Sequence, residues 1–229
     1  MTCLLRVYTP DSPLIHQGKI ASNDIIVVDR DALQNGNTAS YQGACQNLFL
    51  AADTADDQEL LNLVQECTLD SLCGIYTGGL VTATDVQRLN TILSAVEAET
   101  GRPDQSLSIL FELGSRPAAF SAVGNWPVTV ATRITALTWC ENTLKQAIGA
   151  TSTRSSTGSY FSPFLTAQAQ IVMAAAALEV PAFDTSHNAA NPHEFQKWTQ
   201  EARAMGFAGK AVTNESELRT VRQYFNRPS

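Results

Sequence analysis

The chain has 229 residues, 44% hydrophobic and 16% charged, enough apolar material for one sizeable core. Its net charge is −7, and its 15 Lys and Arg form no basic run, which argues against nucleic-acid binding because nothing would neutralise phosphates. No apolar stretch reaches the roughly 18–20 residues of a membrane helix; the longest candidate, Ile171 to Val180, is alanine-rich and carries Glu179.

The opening Met1-Thr-Cys-Leu-Leu-Arg6 lacks a charged region ahead of an apolar one, so no secretory signal is expected. Eight apolar runs read as strands: Cys3–Tyr8, Asp24–Asp29, Asn47–Ala52, Cys73–Thr77, Leu107–Leu113, Arg133–Trp139, Val180–Phe183 and Lys210–Thr213. Most are continuous rather than alternating, as parallel strands buried on both faces should be. Helical patterns fill the spaces between them. Asp56–Cys67 places Leu60, Leu61, Leu63 and Val64 on one face, and Thr82–Thr100 does so with Val86, Leu89, Ile92, Leu93 and Val96 before Gly101 and Pro103 end it. Phe164–Leu178 and His193–Met205 follow. Gly206 stops the latter, and Asn214 or Ser216 caps a closing helix. Gln34–Gly43 and Ala150–Ser159 read as loops; the second is either a lid or a connector. Eight strands with helical crossovers predict an α/β fold, a single-domain (β/α)8 TIM-type barrel over residues 1–229, with an open doubly wound sheet as the alternative.

Cys3, Cys45, Cys67, Cys73 and Cys140 form no C-x-x-C pair. An odd count without a signal points to reduced thiols in a cytoplasm. His16, His187 and His193 lack ligand spacing, although His187 follows the seventh strand and is a candidate for proton transfer.

The tail Ala202-Arg-Ala-Met-Gly-Phe-Ala-Gly-Lys210 resembles the A-x-A-L-G-F-x-G-K stretch of the citrate lyase beta-subunit and 2-oxo-acid aldolase family, often labelled HpcH/HpaI. Three further segments are similar to that family in the same order: Asp24 to Leu33, Val81 to Leu89, and Gln168 to Asp184 with its ending Val180-Pro-Ala-Phe-Asp184. The resemblance implies a barrel, a carbon–carbon lyase or aldolase acting on an acyl-CoA or 2-oxo acid, Mg²⁺ as cofactor and a homo-oligomer. The family's barrel is normally followed by C-terminal helices; this sequence ends at Ser229, so a barrel without them is expected.

The same resemblance assigns site residues. Glu112, in Ile109-Leu-Phe-Glu-Leu-Gly114, matches the family's Mg²⁺-binding glutamate, and a hard cation wants such oxygen ligands. Asn142 stands where the family carries the second ligand, an aspartate; Glu141 beside it is the other candidate, and Asn142 could instead cap the next helix. Other positions depart from the family. Asn214-Glu215 replaces His-Pro, Ala51 stands for an arginine, and Thr77-Gly78-Gly79 stands for Leu-Pro-Lys. Arg30 could clamp a substrate carboxylate or pair with Asp29 or Asp31. Gly78 and Gly79 would let a ligand approach the backbone, and Arg116 either holds Glu112 or faces solvent. The losses leave a second reading open: a degenerate barrel that binds a small carboxylate or a partner chain without turnover.

Overall fold

The computed structural model describes residues 3–7, 21, 24–29, 47–52, 56–66, 72–186 and 191–225. The strands are β1 (Cys3–Val7), β2 (Ile25–Val28), β3 (Leu48–Ala51), β4 (Leu72–Thr77), β5 (Ser108–Leu113), β6 (Ile134–Trp139), β7 (Ala182–Asp184) and β8 (Gly209–Val212). Each lies within two residues of its predicted limits. Every pairing is parallel and the order is sequential; β8 returns to β1, with Lys210 opposite Cys3, so the sheet curls into a closed ring. A doubly wound sheet would leave two open edges, and this ring has none. The loop predicted over Gln34–Gly43 lies outside the described residues.

Two apolar layers explain the continuous hydrophobic runs. Inside the ring, Ile25, Val27, Phe49, Tyr76, Leu110, Ala136 and Phe183 form one cluster. Outside it, the alternate strand residues, among them Ile75, Ile109, Phe111, Leu113 and Leu137, pack with helix residues in a second. A strand buried on both faces has no polar face to show.

The helices covering the outside are α1 (Asp57–Glu66), α2 (Ala83–Thr100), the short α3 (Ala118–Ala122), α4 (Glu141–Ala147), α5 (Ser162–Ala177), α6 (Pro192–Ala204) and α7 (Glu215–Phe225). Thr82 and Asp85 form a capping box that starts α2, and Gly101 ends it in the left-handed conformation. Asn214, rather than Ser216, caps α7 by accepting from the Glu217 amide at 3.0 Å. The short helix expected from Arg116 and Pro117 is α3; the 3-10 turns at Val123–Asn125 and Ala131–Arg133 carry no sequence signal, because Gly124 and Pro127 break the periodicity there. No helix among the described residues is long and apolar enough to cross a membrane.

Buried charge ties the helices to the strand starts. Arg133 donates to both Glu97 oxygens, at 2.7 and 2.8 Å, and Glu97 also accepts from the Leu107 amide at 2.6 Å. This fixes the end of α2 against the starts of β5 and β6. Arg222 on α7 pairs with the fully buried Asp24 ahead of β2.

Candidate active site

In a parallel barrel the C-terminal strand ends and the loops after them build the mouth. β4 and β5 meet closely on their way there. Gly74 lies opposite Ser108, and a Cβ on Gly74 would stand 1.9 Å from the Ser108 carbonyl oxygen. Two residues on, Tyr76 points into the ring with only 7% of its surface exposed. Leu110 shares that inner face and its neighbours Ile109 and Phe111 face outward, so strand alternation carries Glu112 to the inner side at the mouth. Glu112 is half-buried, and the Tyr76 hydroxyl donates to its Oε2.

The segments that leave β4 and β5, with the first turns of α2, line a pocket of about 560 Å³, in whose walls neither Tyr76 nor Glu112 takes part. Gly78, Gly79 and Arg116, three of the residues singled out in the sequence, line it together with Arg88 and Ser115. Gly79 has φ +82° and no atom within 4 Å of where a Cβ would stand, so it leaves its wall of the pocket open. Arg116 is exposed, one residue before the Pro117 that precedes α3. Arg88 was not singled out, because on sequence alone it is one polar residue of an amphipathic helix. It pairs at 2.6 Å with Asp57 of α1, both partners being exposed.

The other two predicted metal ligands occupy the start of α4. Cys140, not Asn142, is the N-cap residue and makes no side-chain capping bond; the helix already includes Asn142, which is exposed. Glu141 is buried. It accepts a hydrogen bond from Tyr160 at 2.6 Å, and its amide lies 3.2 Å from the Thr185 hydroxyl. Burial and the negative charges of Asp184 and Glu141 hold the Tyr160 phenol well above its ordinary pKa, so it remains a donor. The Arg154 guanidinium lies 3.4 Å from the Tyr160 ring centre and 4.0 Å from that of Trp198. Arg154 also pairs with Tyr160 through a backbone bridge and donates to the Gly158 carbonyl at 2.8 Å. The Ala150–Ser159 segment is thus a pinned turn at the head of α5.

Behind Glu141 lies an ion pair that the sequence did not announce. Lys210, fully buried on β8, donates to Asp184 at 2.5 Å; Trp139 and Gln168 donate to the other Asp184 oxygen at 2.8 and 3.3 Å. Burial draws the Lys210 pKa below its ordinary value, and the Asp184 charge opposes that shift. Both residues appear in the sequence as letters of a motif. The available signal was a lysine within an apolar strand, which needs a buried partner.

Glu112 therefore supplies a carboxylate at the mouth, while Glu141 is engaged by Tyr160 and Asn142 faces out. Among the described residues, no three His, Cys, Asp or Glu side chains gather as a metal-binding group. Mg²⁺ is commonly held by one or two carboxylates with water and substrate oxygens completing its octahedron. Glu112 fits that demand as a single anchor. Arg30 and His187 lie outside the described residues.

The profile of the HpcH/HpaI aldolase/citrate lyase family matches residues 78–215, from the exit of β4 to the start of α7. No curated protein matches the sequence. Among solved structures, RipC from Yersinia pestis superposes with a TM-score of 0.72 at 18% identity, over 100% of this chain and 96% of that one. The magnesium/glyoxylate complex of Haloferax volcanii malate synthase gives 0.78 at 12%, over 99% and 75%. The citrate lyase beta subunit of M. tuberculosis, complexed with oxaloacetate and magnesium, gives 0.66 at 16%, over 99% and 96%. These three share the fold. The family match over residues 78–215, more than half of the chain and including β5–β8 with Glu112, makes the chain a member of the HpcH/HpaI aldolase/citrate lyase family.

Proposed function

We propose that this protein is a carbon–carbon lyase or aldolase acting on a 2-oxo acid or an acyl-CoA, built as one (β/α)8 TIM-type domain over residues 1–229 and using Mg²⁺. The carrying observation is Glu112: a half-buried carboxylate at the inner, mouth end of β5, bonded to Tyr76 and on the strand that leads into the pocket. Family membership and the glyoxylate, oxaloacetate and magnesium complexes of similar structures support the same chemistry.

In this reading Glu112 anchors Mg²⁺; Asn142 and Glu141, the other ligands that the resemblance assigns, would join it only by turning from their places at the start of α4, Glu141 away from Tyr160. Held there, Mg²⁺ would supply Lewis-acid polarisation of a substrate carbonyl. The remaining work belongs to the chain itself. Arg116 and Arg88 hold the substrate's carboxylate or phosphate groups by charge-assisted bonds, and Gly78 and Gly79 let it approach the backbone. Arg30 is assigned to clamp the substrate at the second strand's mouth. The reading also includes a cytoplasmic setting with reduced thiols and a homo-oligomeric assembly.

A second reading has its own observation. Glu141 is held by Tyr160 and Asn142 is exposed, so the second anionic ligand of a catalytic metal site is missing at α4. That arrangement favours a barrel that binds a small carboxylate or a partner without turnover. The test is product release from a panel of 2-oxo acids and acyl-CoA esters with and without Mg²⁺, beside the binding of the same compounds. Mg²⁺-dependent cleavage abolished by Glu112→Gln supports the lyase. Binding without cleavage supports the second reading and overturns the first.

A further inference from the structure

The Tyr76–Glu112 bond has no place in the sequence motifs, yet it is a polar contact made directly to the carboxylate assigned as the metal anchor. Tyr76 stands on β4, opposite Leu110 of β5, and its ring belongs to the cluster that fills the inside of the barrel. Such a ring cannot change rotamer without opening the core. Its hydroxyl is therefore a fixed donor, placed from below at the mouth. Gly74 lets β4 approach β5 closely enough for this, since any side chain there would strike the Ser108 backbone. Glu112, by contrast, is only half-buried and sits on a flexible stem. Each contact that narrows the rotamers of such a side chain lowers the ordering cost that binding to it would carry.

We propose that Tyr76 is a positioning residue of the site: its hydroxyl holds Oε2 of Glu112 and thereby sets the direction in which the carboxylate presents itself to a divalent cation at the barrel mouth. The proposal rests on the lyase reading only in taking Glu112 as the cation's anchor. Partners that orient a ligating carboxylate typically contribute about 10–100-fold to metal affinity. Tyr76 acts from the neighbouring strand, through Glu112 and not on the substrate.

The test is calorimetric titration of Mg²⁺ alone into the wild-type chain, Tyr76→Phe and Glu112→Gln, with thermal unfolding of each. Tyr76→Phe keeps the ring and removes one oxygen, so the barrel interior stays filled. The expected result is a loss of Mg²⁺ affinity of about tenfold or more in Tyr76→Phe. Glu112→Gln should abolish binding, and Tyr76→Phe in the Glu112→Gln background should change nothing further. An ultraviolet difference spectrum between wild type and Glu112→Gln should also show the tyrosine band shift of a phenol that loses its carboxylate acceptor; a filler ring would not give it. Unchanged affinity in Tyr76→Phe, with Glu112→Gln still abolishing binding, overturns the proposal and leaves the lyase reading standing. A wild type that takes up no Mg²⁺ overturns both.

Discussion

Lys210→Met should be among the most damaging single changes outside the hydrophobic clusters. Lys210 is fully buried and Asp184 is 1% exposed, and they meet at 2.5 Å. Methionine replaces the lysine stem with similar apolar volume, so the loss is mainly electrostatic. It leaves a buried carboxylate without its countercharge, its remaining donors including the Trp139 indole at 2.8 Å and the Gln168 amide at 3.3 Å. Breaking a buried pair in this way costs about 3–5 kcal/mol. For a chain of this size that corresponds to a fall in Tm of roughly 6–20 °C. Adding Asp184→Asn removes the orphaned charge and keeps an acceptor for Trp139, so the double variant should regain part of the loss. Urea denaturation followed by circular dichroism, with linear extrapolation, measures all three chains. A single variant within about 1 kcal/mol of wild type would refute the reasoning, because it would mean that the pair is not desolvated. So would a double variant no more stable than the single one.

Other parts of the fold make their own predictions. Burial alone would raise the Glu97 pKa, but its bonds from Arg133 and from the Leu107 and Gln105 amides outweigh that and hold it below the ordinary glutamate value. A lowered carboxylate contributes stability above its unfolded pKa and loses it as pH falls through the folded one; Glu97→Gln should therefore flatten the acid limb of a stability–pH curve, and an unchanged limb would contradict this. Gly74→Ala would force β4 from β5 to relieve a 1.9 Å contact with a backbone oxygen, a cost of about 1–3 kcal/mol in denaturant unfolding. The same change should weaken Mg²⁺ binding, because it moves Tyr76 away from Glu112; retained stability and affinity together would show that the strands can part freely.

Much of the ring was legible because its physics is local. A strand buried on both faces must be apolar throughout, and a helix over it must be amphipathic; both patterns survive in the bare sequence at Ile109–Leu113 and at Val86–Val96. Glu112 stood out through its match to the family's glutamate near the end of that strand. What escaped was non-local. The Tyr76–Glu112 bond spans 36 positions and the Lys210–Asp184 pair 26, and no periodicity reports such meetings. Asn142 does not cap α4 because the helix starts two residues earlier than such a cap would set it, at Glu141, where Thr185 lies beside the first amide. Gly78, Gly79 and Arg116 come together because the exits of β4 and β5 are adjacent in the ring, which follows from strand order alone.

The central claim is that Glu112 anchors a divalent cation with which the barrel mouth cleaves carbon–carbon bonds. Calorimetric titration of Mg²⁺ into wild type and Glu112→Ala tests it most directly. The account predicts saturable heat in the wild type and none in the variant, with both chains equally folded by circular dichroism. Equal heats in the two chains, or no heat in the wild type, would contradict it.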